Sequence, residues 1–103
     1  MGLYTDAVMT LEEVTATGRA VCAWMLKHGY PGPSRWLAER VERIASSDSA
    51  SERENAKREI HGAIPGMGGL GDLAPSGKTR EERDEARSEL RRLIERLYSL
   101  TGS

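Results

Sequence analysis

The segment from Gly62 to Gly77 constrains the fold of this chain more than any other stretch. It reads GAIPGMGGLGDLAPSG and holds six of the chain's eleven glycines and two of its four prolines, so it cannot continue as a regular helix. Its aliphatic residues nevertheless recur every three positions, which is not typical of a solvated linker. The pattern predicts an ordered loop that is anchored to a helical core by Ile64, Met67, Leu70 and Leu73.

Four other segments have the hydrophobic periodicity of amphipathic helices, and none alternates for long with the period of a strand. The predicted helices cover about residues 4–28, 35–45, 52–63 and 80–100. The sequence therefore predicts an all-α fold: a single domain over residues 1–103, built as a compact bundle of about four helices. The first and last helices are expected to be long and antiparallel, with the Gly-rich loop across one end.

Capping residues support the predicted helix starts. These are Ser34 for the second helix, Ser51 with Glu54 for the third, and Thr79 with Glu82 for the last. Thr10 and Glu13 have the same capping-box spacing, which leaves open that the turns before Thr10 are separate from the first helix. Gly29 is expected to end the first helix.

On both the first and the last predicted helix, apolar residues recur at alternating spacings of four and three positions. They therefore lie along one face of each helix, which we call its seam. Gly18 lies on the first seam, where a missing side chain predicts the close approach of another helix. The predicted buried positions are Ala7, Val8, Leu11, Val14, Val21, Cys22, Met25 and Leu26, then Trp36, Leu37, Val41, Ile44 and Ala45, then Ala56, Ile60 and Ile64, and finally Ala86, Leu90, Leu93, Ile94, Leu97, Tyr98 and Leu100.

The charge and cysteine content of the sequence exclude several broad classes of protein. The formal net charge is −1, so no global field favours nucleic acid or an anionic membrane. The single cysteine, Cys22, excludes an internal disulfide and fits a reducing compartment. No apolar run is long enough to span a bilayer, and the start of the chain lacks a signal-peptide pattern. We expect a cytoplasmic protein of a bacterium or phage.

Two stretches resemble phosphate-binding motifs, but their context differs from what the chemistry needs. Residues 66–71 match G-x-G-x-x-G, yet a charged helix and Pro65 precede them instead of a strand. Residues 76–79 read SGKT, but the spacing to the preceding glycine is one residue too long for a P-loop. A phosphate- or nucleotide-binding domain that uses the Gly-rich loop and Lys78 stays an alternative.

No catalytic, cofactor or metal site is predicted. His28 and His61 lie far apart, and one cysteine cannot complete a zinc-finger pattern. A triad of Ser76, His61 and Asp72 can be imagined, but no nucleophile elbow supports it. The row Arg83, Arg87 and Arg91 is the best basic face, although such rows are usually solvated and paired with nearby acids. Nucleic-acid binding is therefore not favoured.

The pair Trp36-Leu37, the charged run that ends in Arg58-Glu-Ile60, and the segment Gly66-Met-Gly-Gly-Leu-Gly-Asp-Leu73 together resemble small uncharacterised bacterial helical domains. Those domains carry a Gly-Met-Gly-Ser-Leu-Asn-Asp-Leu-like segment. The resemblance covers about residues 24–75 and departs at Gly69 and Gly71, where the family often has Ser and Asn. It implies no activity. Immunity proteins and other small inhibitors are similar in size and build, by analogy only.

The hypothesis that follows is a non-catalytic protein-binding module, such as an immunity, antitoxin or phage anti-defence protein. Its partner would be another protein. The alternatives are a homo-oligomeric helical scaffold or regulator, such as a homodimer assembled through the two seams, and the phosphate-binding domain. The candidate partner-binding or loop-structural residues are Trp36, Gly66, Met67, Gly68, Gly69, Leu70, Gly71, Asp72 and Leu73, with Arg83, Arg87 and Arg91 as the candidate basic face.

Overall fold

The computed structural model describes residues 2–65 and 69–102, and over these residues it is an all-α bundle without strands. The predicted fold class is confirmed. No helix in the described ranges is long and apolar enough to cross a membrane. The helices are α1 (Gly2–Lys27), α2 (Pro31–Ser46), α3 (Ala50–Ala63) and α4 (Arg80–Thr101), with one 3₁₀ turn at Leu70–Asp72.

Helices α1 and α4 lie antiparallel. Near one end, the Trp24 indole N–H donates to the Ala86 carbonyl at 2.9 Å, and further along, Arg96 and Glu13 form an ion pair at 3.7 Å. Most of the side chains at the predicted seam positions form the core, because apolar surface is more stable when it is removed from water. The largest fully buried side chains are Met25, Leu37, Ile44, Ile60, Leu90, Leu97, Val14 and Val21.

Three residues that were predicted to be buried are exposed. Leu26 is 61% exposed and Tyr98 is 43% exposed, and Ala45 also faces solvent. Each comes directly after a buried residue of the same helix. Successive helical residues point about 100° apart, and in each of these three pairs the first residue is the one that faces the core.

Helix α2 begins earlier than predicted, at Pro31. A proline is tolerated in the first turn because its missing N–H would have no intrahelical acceptor there. Ser34 is therefore not an N-cap. It lies inside the helix, where its hydroxyl donates to the Cys22 carbonyl at 3.1 Å and ties α2 to α1.

Helix α3 is capped by Ser49 and not by Ser51, because the Ser49 hydroxyl accepts the Glu52 N–H at 3.2 Å. The start of α4 is as predicted, with both hydrogen bonds of the Thr79 and Glu82 capping box present. Helix α1 continues through residues 10–13, so the separate first turn is wrong.

Gly29 ends α1 with φ +87°, a conformation that favours glycine. The Gly29 N–H donates to the Leu26 carbonyl at 3.3 Å, and the Tyr30 N–H donates to the Met25 carbonyl at 2.8 Å. These two bonds form a Schellman motif, which turns the chain directly into α2.

Gly18 allows α1 and α2 to cross closely, as its position on the seam predicted. A Cβ at Gly18 would lie 2.5 Å from Cγ2 of Val41. Because Val41 is buried and β-branched, it has little freedom to move away.

We expect Gly18→Ala to lower the free energy of unfolding by about 2 kcal/mol, because the added methyl group overpacks this crossing. In a chain that carries Val41→Ala, the same change should cost much less. Urea denaturation of the two single variants and the double variant measures this coupling. Gly32→Ala is the control, since a Cβ there meets nothing within 4 Å. Additive losses in the double variant would contradict the close crossing.

Candidate functional site

After residues 66–68, the description of the Gly-rich segment resumes at Gly69, which lies against the carboxyl end of α3. A Cβ at Gly69 would lie 2.5 Å from the Ile64 carbonyl oxygen and 2.9 Å from that of Ala63. The next side chain, Leu70, is 7% exposed and belongs to the core. The predictions for Gly66, Met67 and Gly68 fall outside the described residues and stay predictions.

The 3₁₀ turn comes next, and Gly71 contributes its backbone to it. Asp72 closes the turn by donating its backbone N–H to the Gly69 carbonyl at 3.0 Å. Gly69 is therefore the N-cap of the turn.

The far end of the segment is attached to the junction of α1 and α2. The Tyr30 hydroxyl donates to the Ala74 carbonyl at 2.8 Å and accepts the Ala74 N–H at 3.0 Å. Nδ1 of His28 accepts the Ser76 N–H at 2.9 Å. Both rings lie against Trp24, with centroids 4.2 Å away for His28 and 6.4 Å away for Tyr30. The segment is thus held at both ends.

The structure does not bring the imagined triad together. Ser76 contacts His28, whereas Nδ1 of His61 contacts the Tyr98 carbonyl at 3.1 Å and the Thr101 hydroxyl at 3.1 Å. Among the described residues there is also no group of three or more His, Cys, Asp or Glu that could hold a metal ion.

Between its two attachments, the segment runs alongside α4 and leaves a groove of about 360 Å³. We call this the 72–95 groove. Its apolar floor is formed by Leu73, which is half-buried, and by Leu90 and Ile94, which belong to the core. The remaining lining residues are Asp72, Ala74, Arg87, Arg91 and Glu95.

Two rim residues of the 72–95 groove have no partner among the described residues. Arg91 and Glu95 are exposed, and neither forms an ion pair or side-chain hydrogen bond within residues 2–65 and 69–102. Arg87 differs, because its Nη1 lies 3.3 Å from Oδ1 of Asp84. The groove therefore offers an apolar floor beside one open guanidinium and one open carboxylate.

The predicted basic face is divided among different roles. Arg83 donates from Nη1 to the Gly77 carbonyl at 3.0 Å and so braces the start of α4. Arg87 is paired with Asp84, which leaves Arg91 as the open member of the row. A continuous basic stripe of the kind that binds a phosphate backbone is not formed by these three residues.

The N-terminus of α4 already holds an anion of its own. Oε2 of Glu82 accepts the Lys78 N–H at 2.9 Å and the Thr79 N–H at 3.4 Å. A bound phosphate would have to displace this carboxylate from the end of the helix where backbone donors are concentrated. The geometry therefore does not favour the phosphate-binding alternative.

Trp36 does not line the 72–95 groove. It is half-buried on α2, and the Arg40 guanidinium carbon lies 4.0 Å from the centroid of its ring. Arg40 in turn contacts Glu59 on α3 at 3.4 Å. Trp36 thus lies beside Arg40, the side chain that links α2 to α3.

Burial raises the pKa of the Cys22 thiol, and this outweighs the opposite effect of hydrogen bonding with the Ser34 side chain. As pH rises, the unfolded chain therefore loses this proton before the folded chain does. The protonated Cys22 thiol therefore contributes fully to the stability of the folded chain below the pKa of a free cysteine, about 8.5. This contribution is lost as the pH rises above that value.

We expect urea denaturation between about pH 7 and pH 10 to show a steeper alkaline loss of stability in the wild-type chain than in Cys22→Ala. The other titrating groups are common to both chains, so they cancel in the comparison. Parallel pH profiles would contradict this prediction.

No family model, curated protein or solved structure matches this chain. The resemblance to small bacterial helical domains stays a prediction.

Proposed function

We propose that this chain is a non-catalytic protein-binding module, of the kind found among small inhibitors such as immunity proteins, antitoxins and phage anti-defence proteins. It binds its partner through the 72–95 groove. The observation that carries the proposal is a groove with an apolar floor of Leu73, Leu90 and Ile94, bordered by the exposed side chains of Arg91 and Glu95.

The chemistry of the groove fits a protein surface better than a polyanion. An aliphatic side chain of the partner would fill the cavity and gain about 2 kcal/mol from burial. A carboxylate of the partner would meet Arg91, and a lysine or arginine would meet Glu95. Because the rim carries both signs of charge, a partner with both signs is complementary to it, whereas nucleic acid is repelled by Glu95.

The groove is also preorganised, which lowers the entropy lost on binding. Leu90 and Ile94 are 2% and 7% exposed and are fixed by packing in the core. The opposite wall is held by Tyr30 at Ala74. Neither wall has to fold when the partner arrives.

The test is affinity capture by the tagged chain from cells of its source organism, with Arg91→Glu and Leu73→Ser as binding variants. Arg58→Glu is the control, since Arg58 is exposed on α3, away from the groove. We expect one protein to be retained equally by the wild-type and control chains, and at least about tenfold more weakly by the binding variants. Its activity should fall when the wild-type chain is added. Equal retention by every variant, or no specific protein at all, would overturn the proposal.

A further inference from the structure

The outer face of α4 carries two acidic residues followed by two basic residues at symmetric spacings. Glu85, Glu89, Arg92 and Arg96 follow one another at spacings of four, three and four residues, and all are exposed. They lie on the side of α4 away from the core, because the buried face of this helix is formed by other residues. Those buried residues are Ala86, Leu90, Ile94, Leu97 and Thr101.

This pattern is unfavourable in an isolated chain. Glu85 and Glu89 are one helical turn apart, as are Arg92 and Arg96, and like charges at this spacing repel each other. In the part of the chain that the structure describes, Glu85, Glu89 and Arg92 form no ion pair, while Arg96 reaches Glu13 at 3.7 Å. Among these four residues, the attraction between Glu89 and Arg92, three residues apart, offsets only part of the repulsion within the two pairs.

A second copy of the chain supplies the missing charges. A two-fold axis between residues 90 and 91 sets two antiparallel α4 helices side by side. It places Glu85 of one copy opposite Arg96 of the other, and Glu89 opposite Arg92. Each pair occurs twice because a two-fold interface is isologous. A parallel arrangement would instead set each charge against its own copy.

Next to these charges lies an apolar strip that the same dimer would cover. Ala16, Ala20 and the half-buried Leu93 form the apolar part of a shallow groove between α1 and α4, with a volume of about 560 Å³. Its other lining residues are Glu12, Glu13, Thr17 and Arg96. The two-fold axis also sets Ser88 of one copy opposite Leu93 of the other, and a small serine allows the helices to approach closely. We propose that the chain forms an antiparallel homodimer through the outer face of α4.

This interface differs from the one that the seams predicted, because the seams are used within the monomer: Val14, Val21 and Leu97 are fully buried. It also differs from the 72–95 groove, where Arg91 and Glu95 occupy another side of α4. The dimer does not depend on the proposed function, since neither face includes the other's charged residues.

The experiment is sedimentation equilibrium of the full chain at about 50 mM and about 500 mM NaCl. We expect a dimer at low salt whose dissociation constant rises by about tenfold at high salt, because exposed ion pairs are screened. This measurement needs no variant, so it cannot fail through misfolding. A wild-type chain that stays monomeric at about 1 mM protein and low salt would overturn the proposal.

Charge variants test the antiparallel register. One variant combines Glu85→Arg with Glu89→Arg, and the other combines Arg92→Glu with Arg96→Glu. Each variant alone should dimerise at least about a hundredfold more weakly, because residues of the same charge would face each other across the two-fold axis. An equimolar mixture of the two variants should form a heterodimer, because opposite charges then face each other. The control combines Arg91→Glu with Glu95→Arg and should dimerise like the wild type. Single-sign variants that dimerise as well as the wild type, or a mixture that stays monomeric, would contradict the register.

Discussion

Replacing Trp24 with alanine is expected to lower the free energy of unfolding by about 4 kcal/mol, a loss typical of large core side chains. Trp24 is 3% exposed, and its indole N–H ties α1 to α4 through the Ala86 carbonyl. Its ring also supports His28 and Tyr30, the two residues that hold the segment beside α4. One substitution therefore weakens both the helix pairing and the wall of the 72–95 groove.

Urea denaturation followed by circular dichroism measures this loss, with two comparison variants. Trp24→Phe keeps most of the apolar contact and gives up the indole hydrogen bond, so it should retain much of the stability. Trp36→Ala removes a tryptophan that is only half-buried and should cost clearly less than Trp24→Ala. Equal losses at Trp24 and Trp36 would contradict the central role of Trp24.

Replacing Gly69 with alanine is expected to cost about 3 kcal/mol, because the new methyl group would meet backbone atoms that cannot move aside. Its Cβ would lie 2.5, 2.9 and 3.0 Å from the carbonyl oxygens of Ile64, Ala63 and Pro65. To relieve the clash, the end of α3 must unwind or the segment must leave its place. Either change would release Leu70 from the core and remove the groove, so partner binding should be lost as well.

Gly62→Ala is the matched control for Gly69→Ala. Gly62 lies inside α3, and a Cβ there meets nothing within 4 Å. Alanine should stabilise the helix at this position by up to about 1 kcal/mol. Amide hydrogen exchange locates the effect: exchange at residues 72–76 should quicken in Gly69→Ala and stay unchanged in Gly62→Ala. If both variants behave alike, the close contact at Gly69 is not what holds the segment.

The fold could be predicted because periodicity reports burial directly. Val14, Val21 and Met25 repeat at helical spacing, and only a bundle buries such seams. Helix starts were harder to place, because Ser49 and Ser51 are equally good caps by residue type. In the structure, Ser49 is also held by its N–H bond to the Ser47 hydroxyl. Leu26 was misassigned for a similar reason: its neighbour Met25 already faces the core, and hydrophobicity alone does not distinguish the two.

The site was predictable only in part. The spacing of Leu70 and Leu73 indicated that the segment packs against helices, and both side chains do so. The residues that fasten it could not be found from local patterns, because Tyr30 and Ala74 are 44 residues apart and His28 and Ser76 are 48 apart. Nor does a local pattern show that Arg91 is open while Arg87 is paired. The acidic half of the rim, Glu95, was missed because it lies within a helix face that looked uniformly solvated.

The central claim is that the 72–95 groove binds a protein partner, and methyl NMR of the chain with and without the captured partner tests it most directly. Binding should shift the methyl signals of Leu73, Leu90 and Ile94, which form the floor, and leave those of Val41 and Ile44 in place. A complex that shifts signals only around Trp36 and α3, with the floor methyl groups unchanged, would contradict the account.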